Sequence, residues 1–284
     1  MKPSPFRYSA PTRVDEALAV LAAGEGKVLA GGQSLVPILN MRLAAPAHIV
    51  DVNRVGELAY VSTTADGVSV GALARHADVE RSDEAYAVQP LLRRALQLVA
   101  HPVIRNRGTT VGSLAHADPS GEMTAVLALT GGHVVVARQG GTRQVPAAEF
   151  FLAPLESALL PGELALSAWF PAFPPGTGTT FVEVARRHGD YAVCGLAAAV
   201  TVADGAIVAA RAAYISVAAT PLVLDLTEAV RGAAVADADW AAAGELARGQ
   251  VDPEADIHAS ADYRRHLVDV LTTRGLAEAA GLVA

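Results

Sequence analysis

Residues 30–55 read AGGQSLVPILNMRLAAPAHIVDVNRV, and this stretch decides the architecture of the N-terminal part. A short strand at 27–30 runs into Gly31-Gly32, which breaks it. Residues 34–43 read as a helix or turn, ended by Pro46. Residues 48–53, HIVDVN, form a buried strand rich in β-branched side chains. Strand, glycine turn, helix and strand make a small parallel unit. Upstream, Val14, Leu18 and Leu21 recur at i, i+4, i+7, with Thr12 as the expected cap and Asp15 in the first turn.

Downstream the pattern changes near Gly56. Asp66-Gly67, set among Val61, Val68 and Val70, predicts a β-hairpin. Helical stretches follow at 76–82 and 90–100. Residues 101–122, HPVIRNRGTTVGSLAHADPSGE, read as a long irregular loop, and 123–129 as a short helix. The segments 133–137 and 142–145 flank Gly140-Gly141 as a second hairpin. PAFPPGTG at 171–178 is the clearest linker. Beyond it, 180–185, 192–202 and 207–217 predict three strands, the last two joined at Asp204-Gly205. After Pro221 the pattern predicts helices near 222–231, 238–249 and 262–282.

The chain has 284 residues, 52% hydrophobic and 18% charged, enough for a sizeable core and too apolar for disorder. Net charge is −7 with no basic block, so nucleic-acid binding lacks an electrostatic footprint. The N-terminal residues lack the apolar core of a secretory signal, and no integral membrane segment is expected. A cytoplasmic protein is the expectation. The single cysteine, Cys194, sits in an apolar strand and reads as a core residue. One thiol cannot ligate an iron–sulfur cluster or build a four-cysteine zinc site. There is no Walker A sequence and no G-x-S-x-G elbow. His101, His116 and His188 lack metal-ligand spacing and read as loop histidines.

Two segments have the composition of anion cradles. In Ala30-Gly31-Gly32-Gln33-Ser34-Leu35 the glycines permit a sharp turn and close backbone approach, leaving amides to face a pyrophosphate. The bland alternative is a plain strand-to-helix turn. Residues 105–119, RNRGTTVGSLAHADP, supply glycines and short hydroxyls, with Asp118 and Glu122 placed to accept from sugar hydroxyls. Here the alternative is a loop whose side chains satisfy its own backbone. Tyr191, after Gly189-Asp190, is either a packed aromatic or a ring that stacks on a planar cofactor.

Taken together, 30–55 and 101–122 resemble the FAD-binding medium subunit of the molybdenum hydroxylases, the xanthine dehydrogenase and carbon monoxide dehydrogenase family. VGALARHADVERS at 70–82, LLPGELALSAWFP at 159–171 and EVARRHGDYAVCGLAAAV at 183–200 extend the likeness over nearly the whole chain. The resemblance implies an α+β fold: an FAD-binding PCMH-type two-domain clasp, then a C-terminal three-stranded antiparallel sheet with a helical bundle. The domains would span 1–56, 57–176 and 177–284.

By the same resemblance the cofactor is FAD. Ala30, Gly31, Gly32, Gln33, Ser34 and Leu35 match its first pyrophosphate loop; Thr109, Gly112 and Ser113 match the second. Asp118 and Glu122 match the acidic positions near the ribityl chain, Leu164 a hydrophobic residue flanking the flavin ring, and Tyr191 a position near the isoalloxazine. No catalytic side chain and no metal ligand are implied. The implied partners are a large molybdopterin-binding subunit and a small [2Fe–2S] subunit, as a dimer of heterotrimers. The implied role is electron transfer from those clusters through FAD to an external acceptor. Two positions depart from the family pattern. Val111 stands where a glycine is usual, and Glu122 where an aspartate is usual. A β-branched residue disfavours positive φ. These departures keep open a scaffold subunit with weakened FAD binding, beside a free-standing FAD-dependent oxidoreductase.

Overall fold

The computed structural model describes residues 2–24 and 26–283. The first unit holds β1 (Arg7–Ser9), α1 (Val14–Ala22), β2 (Gly26–Leu29), α2 (Leu35–Asn40) and β3 (His48–Asp51). The strands form a parallel sheet in the order β1-β3-β2, as the strand–turn–helix–strand pattern requires. β1 is too short to show a period in sequence. α1 buries Ala17, Leu18 and Leu21. Thr12 is not its cap: Arg13 holds that position without a side-chain bond. Thr12 instead donates through its amide and hydroxyl to the Glu16 carboxylate, at 2.9 and 3.1 Å.

The second unit begins with the hairpin β4 (Val61–Thr64) and β5 (Gly67–Gly71). Six helices follow: α3 (His76–Arg81), α4 (Asp83–Val88), α5 (Pro90–Leu96), α6 (Pro102–Arg105), α7 (Thr110–His116) and α8 (Glu122–Thr130). Then come β6 (His133–Arg138), β7 (Gly141–Pro146), α9 (Ala147–Phe150), the small ribbon β8 (Phe151–Ala153) and β9 (Glu156–Ser157), and β10 (Leu164–Pro171). The sheet order is β4-β5-β10-β6-β7. The last strand to be made therefore enters the middle, antiparallel to β5 and β6. The expectation of one irregular loop over 101–122 is corrected: α6 and α7 occupy much of it.

The third unit is a meander, β11 (Thr177–Val184), β12 (Cys194–Ala203), β13 (Ala206–Ile215) and β14 (Leu222–Asp225), followed by α10 (Thr227–Val230), α11 (Trp240–Gly249) and α12 (Ala261–Gly281). The three expected strands are present, and a fourth is added. The helix expected at 222–231 is corrected accordingly: its first four residues pair with β13, and only α10 is helical. Asp204 (φ 51°) and Gly205 (φ 77°) make the turn between β12 and β13, two positive φ values in succession.

The alternation of β12 and β13 explains the alanine bias. One face carries Cys194, Leu196, Ala198, Val200, Ala212 and Tyr214, buried with residues of α11 and α12. The other face carries Ala197, Ala199, Ala213 and Ile215, which join the main core with α8. Small side chains there let the helix lie close to the sheet. Cys194 is fully buried, and burial pushes its thiol up to about 12, so it is an inert core residue.

α8 is thus shared. Its Leu127 and Leu129 are fully buried in the core that joins the second and third units. Leu127→Ala is expected to lower the unfolding free energy by about 2–5 kcal/mol. Urea denaturation followed by circular dichroism checks this.

Candidate functional site

The first cradle follows from how β2 ends. Gly32 adopts φ +75°, a left-handed conformation that glycine accepts without strain. The chain turns over 30–34 and enters α2. Among the described residues, no backbone or side-chain group accepts from the amides of Gly31, Gly32, Gln33, Ser34 or Leu35. Gln33 Nε2 donates back to the Gly31 carbonyl at 3.2 Å, bracing the turn. Successive unpaired amides on one tight turn suit a phosphate-sized anion.

The second cradle is the start of α7. Thr109 caps it, its hydroxyl accepting from the Gly112 amide at 3.1 Å. A side chain at position 112 would collide with that hydroxyl, so Gly112 serves the cap as well as any ligand. Ser113 is half-buried one residue further on. Val111 lies in the first turn of the right-handed helix, 1% exposed within the core. It needs no positive φ, and its side chain packs inward. Of the two readings open at this position, the backbone favours the harmless one: valine is not strained here.

The two cradles touch. A Cβ on Gly31 would lie 2.5 Å from the Arg107 carbonyl oxygen, 2.8 Å from Gly108 Cα and 3.1 Å from the Thr109 amide nitrogen. Only glycine permits this approach of backbone to backbone. A polar bracket holds it. Asn53 Nδ2 donates to the Ala30 carbonyl at 2.8 Å, and Arg75 Nη2 donates to Asn53 Oδ1 at 2.8 Å. Arg75 Nη1 reaches the Arg107 carbonyl, also at 2.8 Å. Asp51 steadies Asn53, accepting from its amide at 2.9 Å and from its side chain at 2.6 Å. Beneath, His76 is buried against Gly108 and its Nδ1 lies 3.2 Å from the Thr110 hydroxyl. Burial, with Arg105 nearby, pushes the imidazole down to about 4, so it is neutral. Sequence reasoning missed Asn53, Arg75 and His76 as site residues. Their signal was polar residues directly after apolar runs, in VDVN and GALARH.

α7 spans seven residues, about 10 Å, and leads away from the cradles. It ends at Ala117, held at φ +53°. Asp118 follows, accepting from the Ser120 amide at 2.9 Å. Asp118 and Tyr191 line one cavity of about 470 Å³, together with Ser120, Arg186 and Asp256. Tyr191 is 69% exposed, so it is not a packed aromatic. Ser216, at φ +65°, fastens this end: its amide donates to the Pro119 carbonyl, and its hydroxyl donates to the Ala192 carbonyl at 2.7 Å and lies 2.8 Å from Ser120 Oγ, from which it can accept. Glu122 opens α8. Loss of solvent, then Glu183 and Asp118, pushes its carboxyl up to about 8. Leu164 is 3% exposed in the core at the start of β10 and is not among the residues lining that cavity.

A double amide cradle joined by a short helix to a cavity with a carboxylate and an exposed aromatic fits an extended flavin dinucleotide. The comparisons give that class its family. Residues 4–173 match the FAD binding domain in molybdopterin dehydrogenase, and 179–279 the CO dehydrogenase flavoprotein C-terminal domain. The chain belongs to the FAD-binding medium subunits of the molybdenum hydroxylase family, and its cofactor is FAD. It is 38% identical over 283 residues to the 6-hydroxypseudooxynicotine dehydrogenase complex subunit alpha of Paenarthrobacter nicotinovorans, covering 98% of this chain and 96% of that one. It is 37% identical to the caffeine dehydrogenase subunit beta of a Pseudomonas species, covering 99% and 96%. Among solved structures, carbon monoxide dehydrogenase from Hydrogenophaga pseudoflava superposes with a TM-score of 0.94 at 34% identity, covering 100% of both chains. Quinoline 2-oxidoreductase from Pseudomonas putida 86 gives 0.93 at 36%, covering 99% of both.

Two substitutions separate contact from cofactor. Gly31→Val forces the cradles apart; FAD titration of the apoprotein is expected to show roughly tenfold weaker binding or worse, about 1.4 kcal/mol, with unchanged far-ultraviolet dichroism. Val111→Gly is expected to cost roughly 2–4 kcal/mol of stability through lost packing and helix propensity, without raising flavin content. Denaturation and flavin absorbance on the same preparation check both parts.

Proposed function

We propose that this chain is the electron-transfer subunit of a heteromeric molybdenum hydroxylase. It receives electrons from the [2Fe–2S] clusters of a small partner and passes them to an external acceptor, while a large molybdopterin-binding partner oxidises the substrate. A dimer of such heterotrimers in the cytoplasm is the assembly we infer. The observation that carries the reading is the contact of the two cradles at Gly31, which sets the unpaired amides of 31–35 beside the start of α7. The one cysteine adds to it: iron–sulfur clusters take four thiolates, and this chain's single thiol is buried.

Bound FAD supplies the redox chemistry; the protein supplies binding, orientation and electrostatics. In our assignment the amides of 31–35, set beside the start of α7, hold the pyrophosphate, with Ala30 fixing the turn through its carbonyl. Ser34 and Ser113 add hydroxyl donors, and Thr109 and Gly112 shape the helix start. Asp118 and Glu122 face the ribityl chain, and Tyr191 covers the ring. Leu164 supports the sheet from within. The three larger sheets, bounded near residues 56 and 176, mark the three domains of this arrangement, the first two clasping the cofactor.

The test uses the complex reconstituted from its three subunits. Substrate is expected to bleach the flavin only when the iron–sulfur subunit is present. Rapid bleaching of the isolated chain by an organic substrate would overturn the relay in favour of a free-standing flavoenzyme.

A further inference from the structure

Arg75 holds the two cradles together through neutral partners alone. It is half-buried, with Nη1 on the Arg107 carbonyl and Nη2 on Asn53 Oδ1, each at 2.8 Å. Arg107, whose carbonyl is thus held, carries a second guanidinium, exposed and near enough for Arg75 to feel its charge. Neither guanidinium has a carboxylate partner among the described residues, whereas Arg105, two positions before Arg107, is paired with Glu80 at 2.8 Å. The nearby carboxylates are engaged elsewhere. Asp78 accepts from the Arg75 amide at 3.0 Å, and Asp51 accepts from Asn53 and from the Tyr8 hydroxyl. Carboxylates are not scarce, since the chain has 29 Asp and Glu against 22 Lys and Arg. Two neighbouring cations without counter-ions, one of them half out of water, cost free energy until an anion joins them.

The pair stands beside the unpaired amides. Arg75 Nη1 meets the Arg107 carbonyl oxygen, and that oxygen lies 2.5 Å from where a Cβ on Gly31 would stand. Gly31 opens the run 31–35, whose amides have no acceptor among the described residues. We propose that Arg75 and Arg107 supply the counter-charge of the cofactor's pyrophosphate, so that the site selects that group by charge as well as by amides. The inference rests on the FAD reading above, in which 31–35 hold the pyrophosphate. Guanidinium suits the task, because it stays charged and its planar fork matches phosphate oxygens. Loss of solvent, then the Arg107 charge, pulls the Arg75 guanidinium below its ordinary value, as a cation lacking a counter-ion requires. Asp78 and Asp51 act on it in the opposite sense, and neither forms an ion pair with it.

The test separates charge from bracket. Arg75→Lys keeps the charge, but a compact ammonium does not reproduce the two-directional fork; Arg75→Gln loses both. FAD titration of the full-length apoprotein at about 0.01 M salt is expected to find Arg75→Gln at least about tenfold weaker than Arg75→Lys. At about 1 M salt, where the Debye length is about 3 Å, the gap is expected to shrink to about threefold or less. Arg107→Gln leaves the bracket's carbonyl in place and alters only an exposed side chain. It is expected to weaken FAD by about threefold at low salt and to match the natural chain at about 1 M. Equal affinities of Arg75→Lys and Arg75→Gln at low salt, or a gap that salt does not move, overturn the proposal and leave Arg75 a bracket alone. Should Arg75→Gln fail to fold by far-ultraviolet dichroism, Arg107→Gln decides: affinity equal to the natural chain's at low salt overturns the proposal. Inorganic pyrophosphate, the anion by itself, separates this proposal from the flavin reading. It is expected to raise the thermal midpoint of the natural and Arg75→Lys apoproteins and not that of Arg75→Gln. A natural chain that binds no FAD yet responds to pyrophosphate in this pattern sinks the flavin reading and upholds the anion site; one that responds to neither overturns both.

Discussion

The site depends on two carbonyl oxygens being held near one another. The Ala30 and Arg107 carbonyls belong to turns almost eighty residues apart, and each turn ends a different piece of the fold. Asn53 and Arg75 bridge them in a chain of three hydrogen bonds, each 2.8 Å. A guanidinium suits this role because its planar fork donates in two directions at fixed geometry. Gly31 supplies the other half of the constraint, since any side chain there would meet the opposite backbone. Attraction through the bracket and tolerance through the glycine must both hold for the two sets of amides to converge.

Everything beneath the bracket serves to keep it rigid. Asp51 accepts from Asn53 and from the Tyr8 hydroxyl, so the end of β3 presents a fixed amide. Arg105 ties α6 to α3 through Glu80 and to the Val99 carbonyl. His76 fills the space under Gly108 as a neutral ring. At the other end of α7, the β8–β9 ribbon leans on the helix: Leu155 donates to the Ala117 carbonyl and Ser157 to that of Ala115. Positive φ at Ala117 and Ser216 is sustained by these contacts rather than by local preference.

Much of this was legible in sequence, for identifiable reasons. Asp66-Gly67 and Asp204-Gly205 announced their hairpins because turn chemistry is local. The glycine-rich turn at 31–32 and the acidic positions 118 and 122 were visible through residue type, and the resemblance joined them. Other features were not. α6 and α7 are only four and seven residues long, too short for a helical period to emerge among Pro102, Gly108, Gly112 and Pro119. β14 reads LVLD, and a short apolar run does not distinguish strand from helix until β13 offers an edge. Val111 looked like a misplaced β-branched residue only while its backbone was taken for a loop. The Asn53–Arg75 bracket is a pairing of distant side chains, which no spacing rule reveals.

Ser216 gives the fold an order in time. The turns at 31–35 and 107–113 and their bracket are complete once the chain has been made through the second domain. The cavity around Asp118 and Tyr191 is not. Its Pro119–Ser120 edge waits for Ser216, and Arg264, on the final helix, secures the Val193 carbonyl beside Tyr191. A chain emerging from the ribosome N-terminus first therefore completes the turns at 31–35 and 107–113 early and the walls of this cavity last.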